Sequence, residues 1–228
     1  MAFPLTHLLI ADYLLKHTKL VSNDSAFLLG SIAPDAVHYR VGFQGAAMAN
    51  IGASKKISHL CPISDERWGQ VTDNTGWEKC VVDFLHAHPN DPFCAGYATH
   101  VLTDIFNNIG IWSRFRTKYP DEAAKGYASD YYRDLNNIDI QLYHRLYRSS
   151  GIESRLADAI ARDVPGLVTA EEIYAIRDNL LHDYYKDATV LPQEAPYTFV
   201  TYDEVIQFIK DAAEYSANVL STSLSNGA

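Results

Sequence analysis

Several histidines and aspartates of this chain lie in apolar segments, where an ionisable side chain is costly to bury. His100 and Asp104 stand four residues apart in FCAGYATHVLTDIFNN, so a helix projects both side chains from one face. An imidazole and a carboxylate that point the same way suit a zinc-class ion, which prefers nitrogen and oxygen ligands at about 2 Å. These two residues alone fit a hydrogen-bonded buried His–Asp pair equally well.

Three further residues shift that balance toward a metal. His7 opens an apolar helical stretch, Asp35 follows a proline in GSIAPDAVH, and His59 lies in KKISHLC. Each of them alone is typical of a satisfied core residue or a loop cap. Buried charges require a partner or a cation, so the joint occurrence favours one shared site. The predicted ligands are His7, Asp35, His59, His100 and Asp104.

Four short segments in a fixed order carry a resemblance to a known family. They are THLLIA near the start, GSIAPDAVH, the SH of SHL, and GYATHVLTD. In this order and at these separations they resemble the zinc-dependent phospholipase C family, which is similar in fold to the S1/P1 nucleases. The resemblance covers about residues 5–108 well and the C-terminal half weakly. It implies a helical bundle in which the five residues hold a zinc cluster, with Asp104 bridging two ions, and water attacks a phosphodiester.

The chain departs from the family pattern at three places. Secreted members begin with a tryptophan that helps to bind a metal, whereas this chain begins with MAF. The family has a histidine six residues after the HxxxD aspartate, where this chain has Gly110, and its later HxxxE pair is replaced by His144 and Arg148. These departures argue against a full three-zinc cluster. They leave one zinc site, with a second ion as an open alternative.

A substitute ligand for a second ion is expected in the segment YYRDLNNIDIQLYHRLY. Asn136 and Asp139 stand three residues apart on one helical face, and Asp139 is the preferred extra ligand. The competing interpretation is a helix surface whose Asp and Asn face water. His38, three residues after Asp35, is a further candidate ligand or support for one. The remaining histidines considered receive no role: His17, His86, His88 and His182.

Together the residues and the resemblance predict a metal-dependent hydrolase that acts on a small phosphodiester or phospholipid. Asp35 is the predicted catalytic residue, since it could bind the metal and also accept the proton of the attacking water. The tyrosines of the segment 127–147 could line a pocket for a cationic head group, or they could pack in the core. The alternative function is a non-catalytic metal-binding helical protein on the same scaffold, which the glycine at position 110 favours.

The elements that must position these residues are helical over nearly the whole chain, and no linker or repeat divides it. Apolar periodicity and capping residues predict one all-α domain, residues 1–228, of seven to nine helices. Residues 31–76 are irregular, and 197–200 have the pattern of a short strand. The main predicted helices cover about residues 6–15, 24–30, 78–87, 91–106, 121–147, 152–162, 169–186 and 201–221.

Composition limits the other classes of function. The chain has 228 residues, 47% of them apolar, and a net charge of −9, with no basic cluster denser than Lys55-Lys56, which argues against duplex nucleic acid as a partner. Three cysteines without a CxxC pair fit neither a disulfide framework nor a thiolate zinc site. The N-terminus lacks the basic start of a signal peptide, and no run reaches the ~18 apolar residues of a membrane span. A cytoplasmic location is therefore expected.

Overall fold

The computed structural model describes residues 3–43, 52–62, 66, 68–191 and 196–225. Within these ranges the fold is all-α, as predicted, and the only β pairing is an isolated bridge between Val164 and Val168. The α-helices are α1 Pro4–His17, α2 Asp24–Gly30, α3 Gly52–Ser58, α4 Asn74–Ala87, α5 Pro92–Ile109, α6 Ile111–Lys118, α7 Pro120–Ala124, α8 Asp130–Arg145, α9 Ile152–Ala157, α10 Ala170–His182 and α11 Tyr202–Ser225. Short 3-10 helices cover Ala33–Tyr39, Gly126–Ala128 and Tyr147–Ser149.

The central element is α5, which is buried along most of its length. Its start is specified locally, because Asp91 accepts hydrogen bonds from the backbone N–H groups of Phe93 and Cys94 and Pro92 occupies the first turn. α2, α4 and α11 all pack against α5. One hydrophobic core runs through the molecule from Leu5 to Leu220, so α5 carries its side chains into the interior.

The packing of α2 on α5 depends on two glycines. A Cβ atom on Gly30 would lie 2.1 Å from the carbonyl oxygen of Phe93, and one on Gly96 would lie 2.0 Å from that of Phe27. Neither distance is compatible with a side chain. The two helices therefore approach backbone to backbone, and this brings the end of α2 next to the middle of α5.

The segment predicted to be irregular, residues 31–76, contains two short helices in its described part. The 3-10 helix Ala33–Tyr39 follows directly from α2, and α3 comes next along the described chain. Short helices of this kind have too few residues to show a clear apolar period, which is why the sequence pattern missed them. The first carries Asp35 of the predicted metal site, and the second is followed directly by His59.

Two predicted elements in the C-terminal half are wrong in detail. The helix expected over 121–147 is broken, because Gly126 adopts a positive φ of 56° and the side chain of Ser129 caps a new helix, α8. The strand expected at 197–200 does not form. Instead, Oδ2 of Asp134 accepts hydrogen bonds from the backbone N–H groups of Thr198, Phe199 and Val200, which a neighbouring strand would otherwise bind.

Other local predictions are confirmed. Thr169 and Glu172 form a reciprocal capping box at the start of α10, although this helix ends at His182 rather than near 186. Thr201 and Glu204 cap α11 in the same way. The helix predicted over 152–162 ends already at Ala157. None of the described helices has both the length and the hydropathy that a bilayer crossing requires.

Candidate metal centre

Four separate parts of the chain bring the five predicted ligands together in the interior. His7 comes from α1, Asp35 from the 3-10 helix after α2, and His59 from the residue that follows α3. His100 and Asp104 lie one turn apart on α5. All five side chains are buried, with at most 6% of their surface exposed. The convergence predicted from sequence is therefore present in the described structure.

Ligand atoms of these residues form two groups that share one histidine. His7, His100 and Asp104 make one group, and Asp35, His59 and His100 make the other; within each group one ligand atom per residue lies within 4.8 Å of the others. The two groups are continuous, because Nε2 of His59 lies 3.6 Å from Oδ2 of Asp104. Such spacings are typical of atoms around one coordination sphere.

The hydrogen bonds of two histidines fix which nitrogen is free. Nδ1 of His100 lies 2.8 Å from the carbonyl oxygen of Ser31, and Nδ1 of His59 lies 2.9 Å from that of Lys55. A carbonyl oxygen only accepts, so both Nδ1 atoms donate and both neutral rings keep their lone pair on Nε2. These two Nε2 atoms lie 3.2 Å apart. Facing lone pairs at this distance repel unless a cation lies between them.

Two of the other three residues of the centre have buried polar atoms without a hydrogen-bond partner among the described residues. These atoms are both ring nitrogens of His7 and both carboxylate oxygens of Asp104. A buried polar atom without a partner costs about 1–3 kcal/mol, and more if it is charged. His7 packs flat on His100, with the ring centroids 3.6 Å apart, so its position is fixed by stacking. A metal ion would bind one ring nitrogen of His7 and the carboxylate of Asp104, and the His and Asp donor set fits a zinc-class ion.

Burial determines the protonation of the centre. It lowers the pKa of His7 well below the usual value, with the neighbouring His100 adding to the effect. Burial and the Lys55 ammonium lower the pKa of His59 to about 3. Burial also raises the pKa of Asp104. His7 and His59 are therefore neutral at pH 7, which is the form of a histidine that binds a metal.

Lys55 is the residue of the centre that the sequence reasoning missed. Its Nζ lies 2.6 Å from Oδ1 of Asp35, and its side chain is completely buried. Burial alone would raise the pKa of Asp35, but this pKa is held well below the usual value, and the Lys55 ammonium is the largest of the opposing causes. A signal was available, since Lys55 stands four residues before His59 and therefore faces the same side of the helical segment.

The remaining sequence candidates lie outside the two ligand groups. Oδ2 of Asp139 accepts a hydrogen bond of 2.7 Å from the hydroxyl of Tyr185, and Asn136 is exposed. His38 lies beside the centre, with its Nε2 3.0 Å from Nζ of Lys55. Gly110 ends α5 and lines a cavity that none of the five ligands lines. The structure therefore brings five of the six predicted ligands together and places Asp139 elsewhere.

Comparison with protein-family models, curated proteins and solved structures found no significant match.

Two cavities reach the centre. One, of about 290 Å³, is lined by Asp35, His38 and Lys55 and by four tyrosines, namely Tyr39, Tyr127, Tyr132 and Tyr184. The other, of about 850 Å³, reaches Asp104 and is lined by all three tryptophans of the chain, Trp68, Trp77 and Trp112. Tyr127 and Tyr132 line both cavities, so the two are adjacent. One cavity therefore reaches the centre at Asp35 and the other at Asp104.

Proposed function

We propose that this protein is a metal-dependent hydrolase of phosphodiesters, similar in chemistry to zinc-dependent phospholipase C. The observation that carries the proposal is the set of buried, unpartnered atoms of His7 and Asp104 next to the facing Nε2 atoms of His59 and His100. Together with Asp35 these residues would hold a zinc-class ion. The resemblance of the segments around the same five residues supplies the choice of reaction.

A bound ion would activate a water molecule and polarise a phosphoryl oxygen. The chain itself orients the ligands, because the Ser31 and Lys55 carbonyls hold the rings of His100 and His59 with Nε2 inward. Asp35 is kept ionised by Lys55, which suits it as a ligand. The same low pKa makes Asp35 a weak proton acceptor, so its catalytic role stays a prediction.

The two cavities favour a diester over a monoester. A phosphodiester carries two organic substituents, and the centre has one cavity on the side of Asp35 and another on the side of Asp104. The tryptophan-lined cavity, with its larger apolar wall, would take an aromatic or otherwise apolar substituent. The smaller cavity contains the Lys55–Asp35 ion pair beside its tyrosines, so it would take a polar substituent rather than only a cationic one.

Metal analysis followed by a substrate panel tests the proposal. Purified protein is expected to retain about one zinc-class ion per chain, and His100→Ala is expected to lose it because that side chain belongs to both ligand groups. His86→Ala is the matched control, since His86 is exposed on α4. An ion content that is near zero, or that is unchanged in His100→Ala, would overturn the metal centre.

The panel consists of bis(4-nitrophenyl) phosphate, phosphatidylcholine and short single-stranded DNA. Turnover of at least one compound is expected for the wild type and not for His100→Ala. A metal-loaded protein that is inactive on all three would instead support the second candidate, a non-catalytic metal-binding protein. The observation that favours this candidate is the position of Asp139, which lies outside the centre and leaves no sixth predicted ligand there.

A further inference from the structure

The ammonium group of Lys55 lies inside the candidate metal centre and not at its edge. It is 2.6 Å from Oδ1 of Asp35 and 3.0 Å from Nε2 of His38, and it lies over the ring of Trp68 at 5.3 Å from the centroid. The side chain has no exposed surface. A buried ammonium is costly without compensation, so its place beside Asp35 is an arrangement that the fold specifies.

The carboxylate of Asp35 lies between Lys55 and the ligand histidines. Oδ1 lies 2.6 Å from the ammonium and 3.4 Å from Nε2 of His59, and Oδ2 lies 3.9 Å from Nε2 of His100. A carboxylate shared by two metal ions likewise has a cation on each side. Lys55 therefore supplies one cation next to Asp35, and the proposed metal ion would supply the other.

The two ligand groups compete for one histidine. Both three-residue groups of the described structure require His100. Its Nδ1 donates to Ser31, so only the Nε2 lone pair is left, and one lone pair binds one metal. If two ions were bound, one would keep a full group and the other would be left with two of its three ligands among the described residues.

The net charge of the centre also favours a single divalent ion. A divalent ion and the Lys55 ammonium together oppose the two carboxylates of Asp35 and Asp104 with a small positive excess, which suits an anionic phosphodiester. A second divalent ion in direct contact with the buried ammonium would leave a large excess of uncompensated positive charge, which is unfavourable at low dielectric.

We infer that Lys55 replaces a second metal ion, so that the centre holds a single ion and uses the lysine ammonium as its other cation. In this arrangement Lys55 is a positioning residue. It acts through Asp35, whose carboxylate it contacts and holds oriented toward the ligand histidines. The inference rests on the metal centre proposed above.

Zinc stoichiometry of the intact chain is the first test. The protein is incubated with excess zinc, freed of unbound ion by gel filtration and analysed by mass spectrometry of the metal. About one ion per chain is expected. About two ions per chain would overturn the role of Lys55 and leave the proposed metal centre standing, whereas none would overturn both.

Lys55→Glu is the decisive variant. It places a carboxylate close to the position of the ammonium, beside Oδ1 of Asp35 and Nε2 of His38, and so creates a second set of oxygen and nitrogen ligands. The zinc content is expected to rise from about one to about two ions per chain, and to return to about one when His38→Ala is added. A folded Lys55→Glu protein that stays near one ion would overturn the inference.

Lys55→Met is the matched control and serves also if the glutamate variant does not fold. It keeps the apolar stem and the backbone carbonyl that orients His59 but removes the charge. The zinc content is expected to stay near one ion per chain, and competition with a chelator is expected to show about tenfold weaker binding, because Asp35 loses the ammonium that orients it toward the ligand histidines. Binding as tight as in the wild type would contradict the inference.

Discussion

At the scale of single residues, Asp139 shows how burial changes the chemistry of a carboxylate. One of its oxygens accepts a hydrogen bond from Tyr185, and the other is buried with no hydrogen-bond partner in the part of the chain that the structure describes. Burial raises the pKa of Asp139 to about 7, against a smaller lowering by the Tyr185 hydrogen bond. This carboxylate is therefore protonated in the folded chain at mildly acidic pH, when an exposed aspartate is already ionised.

The raised pKa predicts a particular pH dependence of stability. Between a pH near 4 and a pH near 7 the folded chain holds a proton on Asp139 that the unfolded chain releases, so this residue lowers the free energy of unfolding as pH rises through that window. Asp139→Asn removes the effect. The free energy of unfolding of the variant minus that of the wild type is expected to be about 2–4 kcal/mol larger at pH 8 than at pH 5.

Thermal denaturation at both pH values, followed by circular dichroism, measures this difference. Asp187→Asn is the matched control, because Asp187 is exposed. An equal melting temperature difference between Asp139→Asn and the wild type at pH 5 and pH 8 would contradict the prediction. The zinc content of the same variant tests the ligand role expected from sequence, since a ligand would lose metal on substitution.

At the scale of elements, the contact between α2 and α5 sets the position of the metal ligands. Gly30 and Gly96 let the two backbones meet, and the carbonyl of Ser31 at the end of α2 then reaches Nδ1 of His100. Asp35 follows in the 3-10 helix that continues from α2. The orientation of His100 and the position of Asp35 consequently depend on one helix–helix distance.

Gly96→Ala is expected to destabilise the protein by about 3 kcal/mol, because the added methyl group overlaps the carbonyl of Phe27 and forces the helices apart. Zinc affinity is expected to fall as well, since the Ser31 carbonyl moves away from His100. Chemical denaturation and chelator competition measure the two effects. The control is Gly110→Ala, where the nearest atom to an added Cβ is 3.1 Å away. A Gly96→Ala protein as stable as this control would refute the argument.

At the scale of the whole molecule, the candidate ion would connect segments that are far apart in sequence. Its ligands extend from His7 to Asp104 and come from α1, the 3-10 helix Ala33–Tyr39, the end of α3 and α5. The unfolded chain does not hold these segments together, so it binds the ion much more weakly. Binding free energy then adds to folding stability.

Removal of the metal is therefore expected to lower the melting temperature. At a free zinc concentration 100 times the dissociation constant, linkage predicts that the bound ion raises the free energy of unfolding by about 2.7 kcal/mol. For a chain of this length this corresponds to about 5–10 °C in melting temperature. The measurement compares protein treated with EDTA, the same protein after zinc is restored, and His100→Ala under both conditions. A melting temperature that is insensitive to zinc in the wild type, or equally sensitive in His100→Ala, would contradict the expectation.

Patterns among residues close together in sequence predicted many of the helices and several of the buried ligands. The pairing of His100 with Asp104 follows from the helical period, and the capping residues Asp91 and Thr169 mark helix starts within one residue. The burial of His7, Asp35 and His59 followed from their apolar neighbours. These features depend on residues within one or two turns, so local physics is sufficient to specify them.

The sequence by itself determined the all-α fold class and the set of ionisable residues that must be buried. Both follow from helical periodicity and from the apolar character of residues that are neighbours in sequence. Only the tertiary structure decided which of them meet. It put Lys55 beside Asp35, paired Asp139 with Tyr185, and let Asp134 bind the backbone of residues 198–200 in place of a strand. Such contacts join residues 20 to 66 positions apart, and the packing of helices, not the order of residues, fixes those distances.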